Sequence, residues 1–360
     1  MSHSIHHPNK GRGALSQPGV RFDAWTRDAD LEHVIHELEN DELAPLQTTV
    51  NEDPAKSIIS HNQSPDIPFE QSINPYKGCE HGCVYCYARP SHAYLGLSPG
   101  LDFETKLFYK RNAAALLKAE LSKRGYQPKI IALGANTDPY QPIEKKYRIT
   151  RSILETLRDF NHPVSIISKS ALVERDIDIL QPMAERNLVR VYLSITTLDH
   201  GISRYLEPRT SAPLRRMQAM RTLNDAGIPT GVVVAPIIPA LTDQDIEHVL
   251  ESASAAGAKS SGYVLLRLPL EVRPLFIEWL QRHFPQRANH VMSLIRQMRN
   301  GKDNDANFGS RMRGEGEFAK LLAQRFAKTC ARLGINIERT ALDLSQFSVP
   351  DQPTSQLSLF

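Results

Sequence analysis

Three of the chain's four cysteines, Cys79, Cys83 and Cys86, fall within eight positions of the stretch GCEHGCVYCYARP (78–90). The spacing is C-x3-C-x2-C. Thiolates are soft ligands that suit zinc or an iron–sulfur cluster. A structural zinc site is closed by four ligands, usually as paired C-x2-C units. Only one C-x2-C occurs here, and Cys330 is far away in sequence. His81 lies inside the loop as a fourth zinc ligand, although so tight a loop would hold it poorly. A cuboidal cluster on three cysteines would leave one iron open for a substrate or cofactor. Three incidental cysteines are the bland alternative. Gly78 and Gly82 allow the backbone to wrap closely around such a group.

The elements around this loop repeat regularly. FEQSINPY (69–76) reads as a first strand. It is followed by KIIALG (129–134), VSIISK (164–169), VRVYLSIT (189–196), TGVVVAPII (230–238) and YVLLRL (263–268). These runs are continuous in apolar residues, as in strands buried on both faces. Helical patterns lie between them: RNAAALLKAELSKRG, RITRSILETLRDF, RDIDILQPMAERN, APLRRMQAMRTLNDAG and DQDIEHVLESASAAG. Several end in Gly or Asn, which is helix-stop chemistry. Strand–helix repetition gives a parallel sheet with right-handed crossovers. Six units at this length fit a partial or full β/α barrel better than a Rossmann sheet. No G-x-G-x-x-G follows a strand, and no phosphate-binding G-x-x-x-x-G-K-[ST] is present. In β/α barrels the C-terminal ends of the strands carry the chemistry, which is where the cysteine loop falls.

Residues 1 to 58 read as an extension, much of it disordered, with one short helix expected around DADLEHVIHELEND. Residues 59–270 form the barrel core. Residues 271–345 hold three helices, PLFIEWLQRHF, ANHVMSLIRQMRN and EFAKLLAQRFAKTCARLG, with the basic, Gly-rich loop NFGSRMRGEG (307–316) between the last two. Residues 346–360 form a flexible tail.

Composition narrows the class. The 360 residues are 41% hydrophobic, with 43 basic and 40 acidic side chains and a net charge of +3. So small a net charge says little about local patches. Four cysteines do not make a disulfide scaffold. No apolar run approaches the roughly 20 residues of a membrane span, and the polar MSHSIHHPNKGRGALSQPG lacks the apolar core of a secretory signal. A cytoplasmic protein with reduced thiols and no membrane attachment is expected.

The cysteine spacing, the aromatic Tyr85 before the third cysteine and the position after strand one resemble the radical S-adenosylmethionine (SAM) superfamily. That resemblance implies an α/β fold, a partial (β/α)6 TIM-type barrel with a C-terminal helical extension and a flexible N-terminal extension. It implies a [4Fe-4S] cluster on Cys79, Cys83 and Cys86. The open iron would chelate SAM, which is cleaved reductively to a 5′-deoxyadenosyl radical that abstracts a hydrogen atom. It also implies an electron donor such as flavodoxin or ferredoxin.

Within the superfamily, Tyr85-Cys86-Tyr87 is similar to the branch containing spore photoproduct lyase, the radical repair enzyme for thymine dimers. Asn136-Thr137-Asp138 follows strand two, where that lyase has a hydrogen-donor cysteine followed by Ser-Asp. Lys169 ends strand three, and Ser194 lies late in strand four. The resemblance makes Tyr85, Asn136, Thr137, Asp138, Lys169, Ser194 and Arg209 candidates for holding SAM. An ammonium and hydroxyls at strand ends suit its carboxylate and ribose diol. Asn136 departs from the pattern, because an amide cannot donate a hydrogen atom as a thiol does. The lyase's own reaction would need Cys330 or a tyrosine in its place. Cys330 itself reads as a small hydrophobe on a helix.

Softer signals remain. Glu207 and Arg209, in SRYLEPRTSAP, would reach the SAM aminocarboxylate or the substrate, or form a surface salt bridge. DPYQPIE (138–144) would be a substrate loop over the barrel mouth. Arg311 and Arg313 alternate with small residues in a way that suits phosphate contacts and equally suits a solvated loop. The last five residues, Gln356, Leu357, Ser358, Leu359 and Phe360, follow a polar, Pro-containing stretch. They resemble the bacterial sliding-clamp-binding pentapeptide, in which Gln356 would bond at a pocket rim and Leu357, Leu359 and Phe360 would enter it. Docking of the same residues on this chain is the alternative. DNA is the expected setting, and the competing readings are a radical enzyme acting on tRNA, a peptide or a small metabolite, and a non-catalytic metal-bearing module.

Overall fold

A computed structural model describes residues 11–22, 46–337 and 341–350. Its centre is a sheet of seven strands. Six run parallel: β3 (Gln71–Ile73), β6 (Ile131–Leu133), β7 (Val164–Ser168), β8 (Val189–Ser194), β9 (Thr230–Ile237) and β10 (Ser260–Leu265). The short β2 (Ile59–His61) pairs antiparallel with β3 at one edge. Register runs unbroken across the sheet, with Gln71 opposite Ile131, Ile131 opposite Val164, Val164 opposite Val189 and Val191 opposite Thr230. Ile73, Ile131, Leu133, Val164, Ile166, Val189, Val191, Val232 and Val234 are all buried. Continuous apolar runs mark strands covered on both faces.

Helices return the chain between strands: α1 (Ala113–Leu121), α2 (Ile149–Asp159), α3 (Ile177–Glu185), α4 (Pro213–Asp225) and α5 (Ile246–Ala255). In α2, Ile149, Ile153, Leu154 and Leu157 are buried, a stripe at helical spacing that faces the sheet. Pro213 starts α4 at a position where its missing N–H costs nothing. Three further helices, α6 (Val272–His283), α7 (Pro285–Gln297) and α8 (Gly316–Leu333), complete the described chain. None of the described helices is long and apolar enough to cross a membrane.

The six-strand alternation and the three C-terminal helices stand where the sequence places them. β10 begins three residues before the expected YVLLRL, because Ser260, Ser261 and Gly262 pair with Gly231, Val232 and Val233 of β9. Small polar residues there look like a turn until the neighbouring strand is present. A second sheet has no signal in the sequence: β1 (Thr49–Glu52) lies parallel to β5 (Lys106–Tyr109), and β4 (Tyr76–Lys77) pairs antiparallel with β5. Its strands are two to four residues long and of mixed polarity, so only pairing over long sequence distances defines them.

The expected N-terminal extension needs correcting within its described parts. Residues 46–58 include β1, and residues 11–22 form a strap over the cysteine loop, with Arg12, Gly13 and Ala14 buried. The helix expected around residues 28–41 lies outside the described residues, as does Gln356–Phe360.

The parallel sheet does not close on itself, since β2 and β10 are its two edges. Side chains bridge the opening. Asp66, in the β2–β3 connection, accepts the Gly309 N–H at 2.6 Å and pairs with Arg311, whose other nitrogen reaches Ser64 Oγ at 2.6 Å.

Candidate cofactor site at the mouth of the barrel

The cysteine loop leaves β4, in the second sheet, soon after the C-terminal end of β3 and is tied by backbone hydrogen bonds. Cys79 N–H donates to Phe103 O at 2.9 Å, Cys86 N–H to Cys83 O at 3.2 Å and Arg89 N–H to Cys86 O at 3.2 Å. Gly78 and Gly82 have φ of +74° and +68°, which favours glycine at both turns. Arg89, fully buried, is the keystone. Its guanidinium donates to Cys83 O (3.0 Å), Gly82 O (3.2 Å), Pro99 O (3.1 Å) and Gly100 O (2.9 Å), and pairs with buried Glu104 at 2.5 Å. The free lone pairs of Glu104 take the Gly13 and Ala14 N–H groups at 3.0 and 2.8 Å. The strap therefore closes over the loop from outside.

From inside, Cys83, Val84 and Tyr85 pack in one apolar cluster with Leu206, Ile238, Leu266, Leu268, Val272, Phe276 and Trp279. The C-terminal helices thus share a core with the cysteine loop. None of the thiols is in a disulfide; Cys79 and Cys83 are buried and Cys86 is half-buried. Burial first, and then nearby negative groups (Asp138 for Cys79, Glu207 for Cys83), push the Cys79 and Cys83 thiols well above their ordinary pKa. In such a pocket a bound cation is what makes the thiolate form favourable.

Among the described residues no three His, Cys, Asp or Glu side chains converge as a single metal ion requires. His81, the proposed fourth zinc ligand, instead faces Asp138, with its Nδ1 3.4 Å from Oδ2. Thiolates that hold three corners of a cuboid sit apart from one another. The three thiols on one tight loop, with no fourth ligand, fit a three-cysteine cluster better than zinc.

The strand ends supply the rest. Lys169, after β7, carries its ammonium 5.8 Å over the Tyr85 ring, and no carboxylate lies within 4 Å of it among the described residues. Asp138 ties three segments together: it accepts Ser168 Oγ–H and Lys169 N–H at 2.7 Å each and Tyr140 N–H at 2.9 Å, and meets His81. Burial pushes its carboxyl up, but His81 and these hydrogen bonds outweigh burial and hold it at about 2.

A family profile identifies this arrangement. The profile of the Radical SAM superfamily matches residues 73–253. The uncharacterized protein Rv2578c of Mycobacterium tuberculosis (strain ATCC 25618 / H37Rv) is 36% identical over 232 residues, 64% of this chain and 68% of that one. The uncharacterized protein MJ0683 of Methanocaldococcus jannaschii is 28% identical over 232 residues, 64% of this chain and 82% of that one. The chain belongs to the radical SAM superfamily.

Members of the superfamily are enzymes that use a [4Fe-4S] cluster and SAM, and those are the cofactors of this chain. Its fold is similar to that of spore photoproduct lyase complexed with dinucleoside spore photoproduct, at 17% identity and a TM-score of 0.56, covering 80% of this chain and 81% of that one. A mutant of that lyase with bound AdoMet and dinucleoside spore photoproduct gives a TM-score of 0.55 at 18% identity. At such identities the likeness concerns the fold.

Within this radical SAM barrel the residues expected to hold SAM divide into two groups. Lys169 and Asn136 face the mouth with uncommitted polar ends; the Asn136 side chain makes no hydrogen bond among the described residues, while its backbone N–H is held by Asn74 Oδ1 at 2.9 Å. The others are already engaged. Thr137 Oγ–H donates to Tyr76 O at 2.8 Å, Ser194 Oγ–H donates to Ala235 O at 3.1 Å, and both residues are buried. Tyr85 donates its hydroxyl to Glu207. These three hold the walls rather than offer free donors.

Glu207 differs from expectation, while Arg209 forms the surface salt bridge that was its alternative. Glu207 is neither on the surface nor free for SAM: it is buried, accepts Thr196 Oγ–H at 2.8 Å and pairs with buried Arg216 at 2.5 Å. Arg209 pairs with Glu80 at 2.8 Å, and its N–H donates to His81 O at 3.2 Å. The cause is the chain path. After a short helix, His200–Leu206, the backbone runs back along the cysteine loop, with Val84 N–H on Leu206 O at 3.3 Å.

Arg89, Glu104 and Arg216 carried no signal in the sequence, because single charged residues gain these roles only through buried pairing with partners such as Glu104, 15 positions from Arg89, and Glu207, 9 positions from Arg216. Cys330 lies in α8 within the main core, its Sγ 4.0 Å from Ser261 Oγ. It is a packing residue, away from the mouth.

Proposed function

We propose that this radical SAM enzyme acts on nucleic acid, in the cytoplasm, with DNA as the favoured substrate. The observation that carries the reading is the composition of the mouth. The Arg267 guanidinium lies 5.9 Å from the exposed Tyr87 ring and the Arg311 guanidinium 4.4 Å over the exposed Phe308 ring, with Arg313 next along the chain over Tyr263. Basic side chains interleaved with exposed aromatics suit a phosphate backbone and its bases. The fold shared with a lyase solved with a dinucleoside lesion supports the reading. So does the resemblance of Gln356, Leu357, Leu359 and Phe360 to a sliding-clamp-binding peptide. Deleting residues 356–360 is expected to abolish binding to purified clamp; unchanged affinity would remove the clamp as a partner.

When bound, the cluster and SAM supply reductive cleavage of a sulfonium and a carbon radical able to take a hydrogen atom. The chain's own residues do the rest. Cys79, Cys83 and Cys86 would hold three irons. The unpaired Lys169 ammonium is placed for the SAM carboxylate, in a charge-assisted contact. Asp138 fixes the Lys169 backbone and, through His81, the far side of the cysteine loop. The strap, Tyr85 and the Trp279 cluster exclude water. An electron donor of the flavodoxin or ferredoxin type would reduce the site.

The lyase's final step is not carried over, because Asn136 stands where its donor thiol would be and Cys330 is buried in the core. Tyr87, whose hydroxyl donates to Ala135 O beside Asn136, is the tyrosine placed to take that part.

The test is anaerobic reconstitution with iron and sulfide, then incubation with SAM, dithionite and damaged DNA, intact DNA or tRNA, with products read by mass. The expected result is 5′-deoxyadenosine together with a mass change confined to DNA, and neither with Cys83→Ala. A mass change in tRNA alone, or deoxyadenosine with both polymers unaltered, would reject DNA as the substrate.

A further inference from the structure

Beyond β10, Leu266 and Leu268 turn into the apolar cluster around Trp279, where they are 3% and 1% exposed. Alternation of side chains then sends Arg267 the opposite way, toward the mouth. Its guanidinium lies 5.9 Å from the Tyr87 ring centroid, on the residue that directly follows Cys86. Its polar contact among the described residues is Nη1 to the thioether of Met312 at 3.9 Å, a weak acceptor. Its Nε–H is buried with no partner, and no carboxylate lies within ion-pairing distance among the described residues.

The neighbours cannot satisfy it. Asp66 is committed to Arg311 and the Gly309 N–H. Arg299 gives its N–H groups to Leu266 O (2.8 Å), Ser310 O (3.2 Å) and Arg311 O (2.9 Å). Arg313 lies 3.9 Å over the Tyr263 ring. Four guanidiniums thus gather where the nearby carboxylates are already engaged, Asp66 by Arg311 and the Gly309 N–H and Asp305 by Ser310 and the Asn307 N–H. A buried donor left without an acceptor is costly, more so when charged. Such a group at an open mouth points to an anion that arrives from outside.

We infer that Arg267 anchors a phosphodiester of the substrate at the barrel mouth, beside Tyr87. The planar fork of Arg matches two phosphate oxygens. The faces of Tyr87, 49% exposed, and Phe308, 60% exposed, suit the flanking bases. The inference rests on the nucleic-acid reading above and names the contact that the reading leaves open.

The test uses the full reconstituted chain and short fluorescein-labelled oligothymidylate or oligouridylate, with binding read by anisotropy over a salt series. Arg267→Gln is expected to weaken binding about tenfold at low salt and to reduce the slope of log affinity against log salt by about 0.7–1. Arg267→Lys should keep most of the slope, because a phosphate contact follows charge. A role confined to stacking on Tyr87 would leave the slope unmoved. In the wild-type protein, phenylglyoxal modification of Arg267, mapped by peptide mass, should fall when oligonucleotide is added, so the inference stands or falls even if Arg267→Gln does not fold.

The DNA and RNA arms say which backbone is taken. If the wild type binds while Arg267→Gln keeps the same slope and affinity, or Arg267 stays fully modifiable, the inference is overturned and the nucleic-acid reading survives. Loss of SAM binding with an unchanged salt slope would place Arg267 in the cofactor pocket and also overturn it. If the wild type binds neither oligonucleotide, the nucleic-acid reading fails and the inference falls with it.

Discussion

At the residue scale, Lys169 and Asp138 show how one side chain is left free because another is fully used. Burial pushes the Lys169 amine down, but Cys83, Glu207 and Asp138 outweigh burial and hold it above its ordinary pKa. Glu207 is pinned by Arg216, and Asp138 by Ser168 Oγ, His81 and the Lys169 and Tyr140 N–H groups, so neither swings onto the ammonium. A cation so placed has its charge, its donors and room for a carboxylate. Lys169→Met should leave iron content and visible charge-transfer absorbance unchanged while weakening SAM binding. A charge-assisted hydrogen bond is worth about 1.5–3 kcal/mol, or roughly 10- to 150-fold in affinity. Anaerobic equilibrium dialysis with labelled SAM reads this; equal affinity would reject Lys169 as the carboxylate contact.

At the element scale, the cysteine loop is a short irregular segment without a ladder of its own, so buried side chains must satisfy its carbonyls. Arg89 does this for two of them, Gly82 O and Cys83 O, ties in Pro99 O and Gly100 O of the next segment, and neutralises Glu104, which in turn holds the strap. Removing one partner of a buried pair leaves the other charge unpaired, at about 3–5 kcal/mol. Arg89→Met should therefore lower the melting temperature and cut iron per chain after reconstitution far below the wild-type value. Glu104→Gln, which keeps the shape and one acceptor, should be milder. Full iron loading of Arg89→Met would show that the loop orders without its keystone.

Over the whole molecule, the strap joins parts that are distant in sequence. Arg12 bonds Glu104 O at 2.9 Å, Ser98 Oγ–H reaches Pro18 O at 2.6 Å, Ser16 Oγ–H reaches Glu278 at 2.5 Å, and Arg21 pairs with Glu271. One segment thus links the cysteine loop to α6. At Gly13 a Cβ would stand 1.7 Å from Gly82 O, a distance that forces the strap away. The main core contains no strap residue, so Gly13→Ala should keep most of the fold. The expected effect is bleaching of the reconstituted cluster in air several-fold faster than in the wild type, followed by visible absorbance. An unchanged bleaching rate would show that the strap does not shield the cluster.

The three-cysteine loop, the order of six buried parallel strands, the helices between them and the family are legible in the sequence alone. Those features are local: a three-thiol spacing and apolar runs of fixed period act through neighbours along the chain. What only the tertiary structure decided is which polar residues are free. Ser194 and Thr137 sit at the expected strand ends, Tyr85 in the cysteine loop and Glu207 and Arg209 past a short helix, yet their polar atoms are taken by Ala235, Tyr76, Glu207, Arg216 and Glu80. Arg267 lies in an ordinary-looking strand end, yet it is left without an anion. A hydrogen bond needs a partner at about 3 Å in a set direction, and the partners here come from segments as far as 129 positions away. No period or spacing encodes such a meeting; folding of the whole barrel brings it about.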